Sequence, residues 1–281
     1  MAACHVRSIS LASRSHPMTA SIEDRLDKLK ATDSGSIFHK IVGLKDLYKA
    51  LVAFLQLPTT QQTLSHAQHS KCVQDALNGS LRLLDTCETT TDAISQMKQC
   101  MQELQSSLRR KRGGEGCLTG EINAFCESRK LLNKVACKCL RTLRKDRICT
   151  TNLDANSNQE TLINKLRNVE ETGLSAFGSI LSLISQAQAN LKQSGWSTLS
   201  KFFQSKSVSC ESNVSAFELE KIDAELLILK SSKGVNFVAV QNVLKGLEAL
   251  ESKMLEMEEE LAFVYRQLLK TRVSLLNILN N

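Results

Sequence analysis

The C-terminal stretch of this chain constrains its fold more than any other feature. Val243, Leu247, Leu250, Met254, Met257, Leu261, Val264, Leu268, Thr271, Leu275 and Ile278 follow one another at alternating spacings of four and three, and all but Thr271 are apolar. That is a heptad seam, the pattern of a helix that buries one narrow stripe along its whole length. An unbroken helix over 236–281 would be about 69 Å long at 1.5 Å per residue. A compact ball of this chain length has a radius of gyration of only about 19 Å. The expected architecture is therefore an elongated helical bundle. Leu255, Ala262, Leu269, Leu276 and Leu279 are read as widening the stripe, which favours packing within the chain; self-association through 243–278 is the second use of such a seam.

The rest of the sequence agrees with an all-α, multi-helix bundle. Only 2 prolines and 12 glycines occur in 281 residues, too few for the turns of an all-β sandwich, while 42% hydrophobic residues suffice for a real core. Ile37, Ile41, Leu44, Tyr48, Leu51 and Leu55 form one apolar stripe, and Pro58 closes that helix. A second helical region is expected from about Thr60 to Arg112 with a break near Asn78-Gly79, and a third from about Gly120 to Asp146. Helices then resume over about Gln159–Leu191, Val214–Lys230 and, as a short element, Trp196–Lys206. Thr172–Leu191 is uncharged, but its serines, glutamines and asparagine make it a poor membrane span and a better central helix of the bundle. The chain divides into an N-terminal tail over 1–20 and one bundle domain over 21–281.

Charge is unevenly distributed. The formal net charge is +7, yet residues 109–147 alone carry 12 bases and 4 acids. Lys130, Lys134, Lys138, Arg141 and Lys145 fall within about an 80° arc of a helical wheel. Ile122, Phe125, Leu132, Val135, Cys139 and Leu143 are assigned to the opposite, inner side, and Arg109-Arg110-Lys111-Arg112 precedes the helix. These nine cations are the candidate contact site for an anionic membrane surface or an acidic protein. Nucleic acid is disfavoured because Phe125 is the lone stacking group in the segment. The competing bland reading is a solvated face partly neutralised by Glu256, Glu258, Glu259 and Glu260.

No chemistry-bearing motif accompanies this charge. The ten cysteines contain no C-x-x-C, and Cys137 and Cys139 would lie roughly 160° apart around a helix, too divergent to share a metal. They read as small reduced thiols, with no metal site and no cofactor. No phosphate-binding glycine loop, nucleophile elbow or H-E-x-x-H occurs, so the expectation is a non-enzymatic protein without catalytic residues. The alternative is a metabolic enzyme, or a direct modulator of one, acting on a small-molecule signal. The first acidic residue is Glu23, and the preceding stretch lacks an apolar core, which excludes a secretory signal. Arg7 lies three residues before Ser10, making Ser8 and Ser10 candidate phosphorylation sites in a cytoplasmic protein peripheral to membranes. The same composition fits a plastid transit peptide, the alternative compartment.

Several short motifs recur together along the chain: His5-Val6-Arg7-Ser8 with Ser13-Arg14-Ser15-His16-Pro17, Leu57-Pro58-Thr59-Thr60-Gln61-Gln62, Gly79-Ser80-Leu81-Arg82-Leu83-Leu84-Asp85, Ser95-Gln96-Met97-Lys98, Leu108-Arg109-Arg110-Lys111-Arg112-Gly113 and Arg272-Val273-Ser274-Leu275-Leu276-Asn277-Ile278-Leu279. In combination they resemble the plant-specific family of proteins related to BYPASS. One departure is Asn78, where the pattern has an acid before Gly79-Ser80. The resemblance implies an all-helical land-plant protein of root and shoot development, restraining a mobile growth signal, with no active-site residues to transfer.

Overall fold

A computed structural model of the chain describes residues 17–31, 37–67, 70–110, 118–146, 158–186, 214–231 and 237–280. Among them are eight helices and no strand: α1 (Pro17–Ala31), α2 (Ile37–Leu55), α3 (Pro58–His66), α4 (Lys71–Arg110), α5 (Thr119–Asp146), α6 (Asn158–Gln186), α7 (Val214–Ser231) and α8 (Phe237–Asn280). Helix α1 takes in residues 17–20, which the sequence reading gave to the tail. The short helix expected at Trp196–Lys206, Ser8, Ser10, Lys111 and Arg112 lie outside the described residues.

Helix α8 is the spine. All eleven seam positions from Val243 to Ile278 are buried, against α4 and α2 along most of the length and against α7 near the start. Burying each such Leu, Val or Met contributes about 1.5–3 kcal/mol. The antiparallel register with α4 is fixed at both ends by polar contacts. Arg272 Nη1 donates to the Leu77 carbonyl at 2.7 Å and to Ser80 Oγ at 2.9 Å. Further along, Lys98 pairs with Glu258, and Gln102 and Gln105 donate to the two oxygens of Glu251 at 2.6 and 2.9 Å. Arg109 then meets Glu248 at 2.7 Å. The eleven seam positions themselves are thus filled by helices of the same chain.

The expected widening of that stripe is not observed. Leu255, Ala262, Leu269 and Leu276 are exposed, Leu255 by 50%, and Leu279 is half-buried. A buried arc as wide as the sequence reading assumed needs neighbours on three sides, and α8 has them on two.

Helix α4 also differs from expectation: it is continuous through Asn78-Gly79. The break lies earlier, where Ser70 caps α4, its Oγ accepting from the Val73 N–H at 3.3 Å. Pro58 closes α2 as expected and opens α3 as well. Leu57 is held extended at φ −69°, ψ 132°, and the proline sits in the first turn of α3.

Gly173 serves close approach between helices, and Gly79 faces the end of the Glu170 side chain. A Cβ on Gly79 would collide with the Glu170 carboxylate of α6, which pairs with Arg82 one turn along α4. A Cβ on Gly173 would enter the Tyr48 hydroxyl and lie 2.8 Å from Leu83 Cδ2. Gly173→Ala should therefore overpack the α2–α4–α6 junction and lower unfolding free energy by about 1–3 kcal/mol in urea titrations.

Next to that junction, Tyr48 is fully buried, and its hydroxyl has no hydrogen-bond partner among the described residues. Cys87 faces α8, with Sγ 3.9 Å from the Leu261 carbonyl. Burial pushes the Cys87 thiol from 9.0 up to about 12, and burial, then the neighbouring Cys87 and Glu170, raise Tyr48 well above 10.0. Above its unfolded pKa each group is ionised in the unfolded chain while the folded chain retains the proton. Stability from Cys87 is thus complete below pH 9.0 and declines as the pH rises towards 12. The loss is at most about 1.4 kcal/mol per pH unit for one group. Urea midpoints measured from pH 8 to 11 should fall more steeply for the wild type than for Cys87→Ala.

Candidate functional site

Helix α5 lies at the margin of the bundle, packed on α4 and α6 and touching α7. Glu121 in its first turn complements the positive helix end. The buried side is Ile122, Phe125, Arg129, Leu132 and Ala136, with Cys139 and Leu143 half-buried. Val135, assigned to this side from the sequence, is instead 48% exposed, and Leu131 is 62% exposed. The inner face turns towards both α4 and α6, and the contact line runs through Ala136, leaving Val135 past its edge.

The basic arc faces outward. Lys130, Lys134, Lys138 and Arg141 are all exposed. Lys130 pairs with Glu127 one turn before it, an exposed contact of small worth that holds the Glu127 carboxyl low and the Lys130 ammonium high. Lys138 and Arg141 make no ion pair among the described residues. Lys145 belongs to α5, but its side chain lies outside the described residues. Beside Lys138 a groove of ≈ 370 Å³ runs between α4 and α5, walled by Arg82, Asp85, Thr89, Val135 and Leu143.

Of the tetrad, Arg109 and Arg110 belong to the last turn of α4 and do not lie on the α5 arc. Arg109 is engaged by Glu248 of α8, and Arg110 donates to Ser107 Oγ at 3.1 Å. Nor do the acids of α8 neutralise α5. Glu258 is taken by Lys98 of α4, Glu260 meets Lys45 of α2 at 2.8 Å, and Glu256 and Glu259 are exposed on α8 itself.

One residue that matters for this site escaped the sequence reading. Arg129 is 1% exposed, sits in the middle of the apolar face, and pairs with Asp223 of α7, itself 4% exposed. Its guanidinium also stands 5.4 Å from the Phe125 ring centroid. The pair fixes the rotation of α5 about its own axis and hence the direction in which the lysines point. The available signal was an arginine on the apolar side of the wheel, which requires a buried acid to receive it.

The thiols at Cys72, Cys87, Cys100, Cys126, Cys137 and Cys139 are free, and no cluster able to hold a metal occurs among the described residues. A polar cavity of ≈ 160 Å³ lies between α1, α2 and α6, where Lys40 donates to Ser179 Oγ at 3.3 Å. It is smaller than the roughly 300–1,000 Å³ of ordinary small-molecule sites. No described helix is long and apolar enough to cross a membrane.

The family described as Protein BPS1 matches residues 40–278, from the second turn of α2 to the last turn of α8. This chain belongs to that family. The match agrees with the BYPASS-related resemblance, covers the whole α4–α8 framework, and leaves the His5–Pro17 motif outside it. Membership in the BPS1 family carries a role in plant development. No curated protein and no solved structure matches the chain.

Removing one member of the buried pair should be costly. Arg129→Ala leaves the Asp223 carboxylate in the core and should lower stability by about 3–5 kcal/mol, whereas Arg129→Met with Asp223→Leu should recover most of the loss. Chemical denaturation of the three proteins checks both parts.

Proposed function

We propose that this BPS1-family protein is a non-enzymatic interaction protein of root and shoot development that docks on an anionic membrane surface from the cytoplasmic side through α5, restraining a mobile growth signal from there. The observation that carries the reading is the outward basic arc of Lys130, Lys134, Lys138 and Arg141 on a helix whose other side is bundle core. Clustered cations on one rigid face favour a dense anionic surface, each contributing about 1 kcal/mol near an anionic leaflet. Leu131 and Val135, exposed at the edge of the same arc, favour lipid over an acidic protein. Apolar side chains beside lysines enter the boundary between headgroups and acyl chains, while the lysine stems extend to the phosphates.

Flotation of the full chain with phosphatidylserine-containing vesicles tests this. Binding should weaken with added salt, since screening shortens the reach of exposed charges. Reversing Lys130, Lys134, Lys138 and Arg141 to Glu should weaken it by at least about a thousandfold. Leu131→Gln with Val135→Gln should reduce it at unchanged charge. Vesicle binding that survives the charge reversal would reject α5 as the contact. Loss on charge reversal with no effect of the two Gln changes would reduce the contact to electrostatics and remove the argument that favours lipid over an acidic protein.

A further inference from the structure

The outer face of α8 carries a second stripe that the described residues leave uncovered. Leu255, Glu259, Ala262, Arg266, Leu269, Val273 and Leu276 again alternate spacings of four and three, and every one is exposed, Val273 by 53%. On the wheel this stripe is centred about 140° from the buried seam. Its charges are segregated. Glu256 and Glu259 lie on the N-terminal side of Ala262, and Arg266 and Lys270 on the C-terminal side. None of the four forms an ion pair among the described residues, and Arg266 makes only a contact with the Phe263 ring, 5.8 Å from its centroid.

We propose that this stripe is a homodimer interface in which α8 pairs antiparallel with α8 of a second copy, the two-fold axis passing by Ala262. The occupant follows from self-complementarity. With the axis at Ala262, Leu255 faces Leu269 of the partner subunit, Glu259 faces Arg266 of the partner subunit, and Glu256 flanks Lys270 of the partner subunit, each contact occurring twice by symmetry. Ala262 at the axis lets the helices approach closely. A parallel arrangement would set acid on acid and base on base, so the charge pattern selects the antiparallel one. The contact spans about three heptads, an area smaller than a standard interface of about 800 Å² per partner, so the association depends on concentration. The interface is independent of the α5 reading, since no residue is shared.

Two experiments on the full chain decide it. In sedimentation equilibrium the wild type should show a monomer–dimer equilibrium. Glu259→Arg alone and Arg266→Glu alone should each weaken it by about tenfold or more, and the two together should restore it, because the swapped charges again oppose. Circular dichroism should be unchanged in all three, as both positions are solvent-exposed. The second experiment is zero-length carbodiimide coupling. Glu256 and Lys270 of one chain are separated by about 21 Å along a rigid helix, so a direct Glu256–Lys270 amide forms only between copies. That crosslink is the expected product. A protein that stays monomeric, a dimer indifferent to the single charge changes, a double variant that fails to recover, or crosslinks from Glu256 and Lys270 to residues 187–213 instead would each overturn the proposal.

Discussion

Everything else in this molecule depends on the antiparallel contact between α4 and α8. Two helices of 40 and 44 residues, about 60 and 66 Å long, present matched apolar stripes, and each isolated helix would be marginal in water. Their register is pinned by ion pairs and amide contacts at intervals from Ser80–Arg272 to Arg109–Glu248. The Arg109–Glu248 and Gln102–Glu251 contacts are exposed and individually weak, whereas those of Arg272, Lys98 and Gln105 are part-buried. Their effect is to select one register among the heptad slips that an apolar seam would tolerate. The remaining helices are added around that pair: α2 on the α8 side, α6 and α5 on the α4 side, and α7 bridging α8 to α5.

The same contact decides where charge remains available. Glu248, Glu251, Glu258 and Glu260 are engaged by α4 and α2, so among the described residues the α5 cations receive no acid from α8. The outer acids Glu256 and Glu259 are left facing outward with Arg266 and Lys270. A chain with a modest overall charge therefore displays two distinct charged faces, one predominantly basic and one self-complementary. Arg129 and Asp223 orient the first of these. Burying both ions has a large desolvation cost, and the pair functions as a rotational key between α5 and α7 more than as a source of net stability.

Much of this was legible in the sequence. The eleven-position seam, the basic arc of α5 and most helix boundaries follow from the 3.6-residue period, because solvent exposure is the force that writes that period. What was missed has specific reasons. Gly79 was read as a helix break because glycine lowers helix propensity, but propensity is a weak prior and the packing of α4 on α8 and α6 outweighed it. Val135 was placed inside because hydrophobicity alone does not say which of two adjacent apolar residues lies on the contact line. Arg129 was passed over because arginine on a wheel reads as surface until a buried acid is found, and Asp223 lies 94 residues away.

The sequence by itself determined that the chain is helical, which stripe of α8 is buried, and that α5 is basic on one side. These are local properties, set by side-chain periodicity within single segments. Only the tertiary structure decided which α8 acids meet which lysines, where Arg129 is neutralised, and that Leu255, Ala262, Leu269 and Leu276 remain outside. The physical reason is that an apolar stripe fixes its own direction but not the number of helices that arrive to cover it. That number is set by how the other helices pack, as where Gly173 lets α6 approach α2 and α4 at Tyr48 and Leu83.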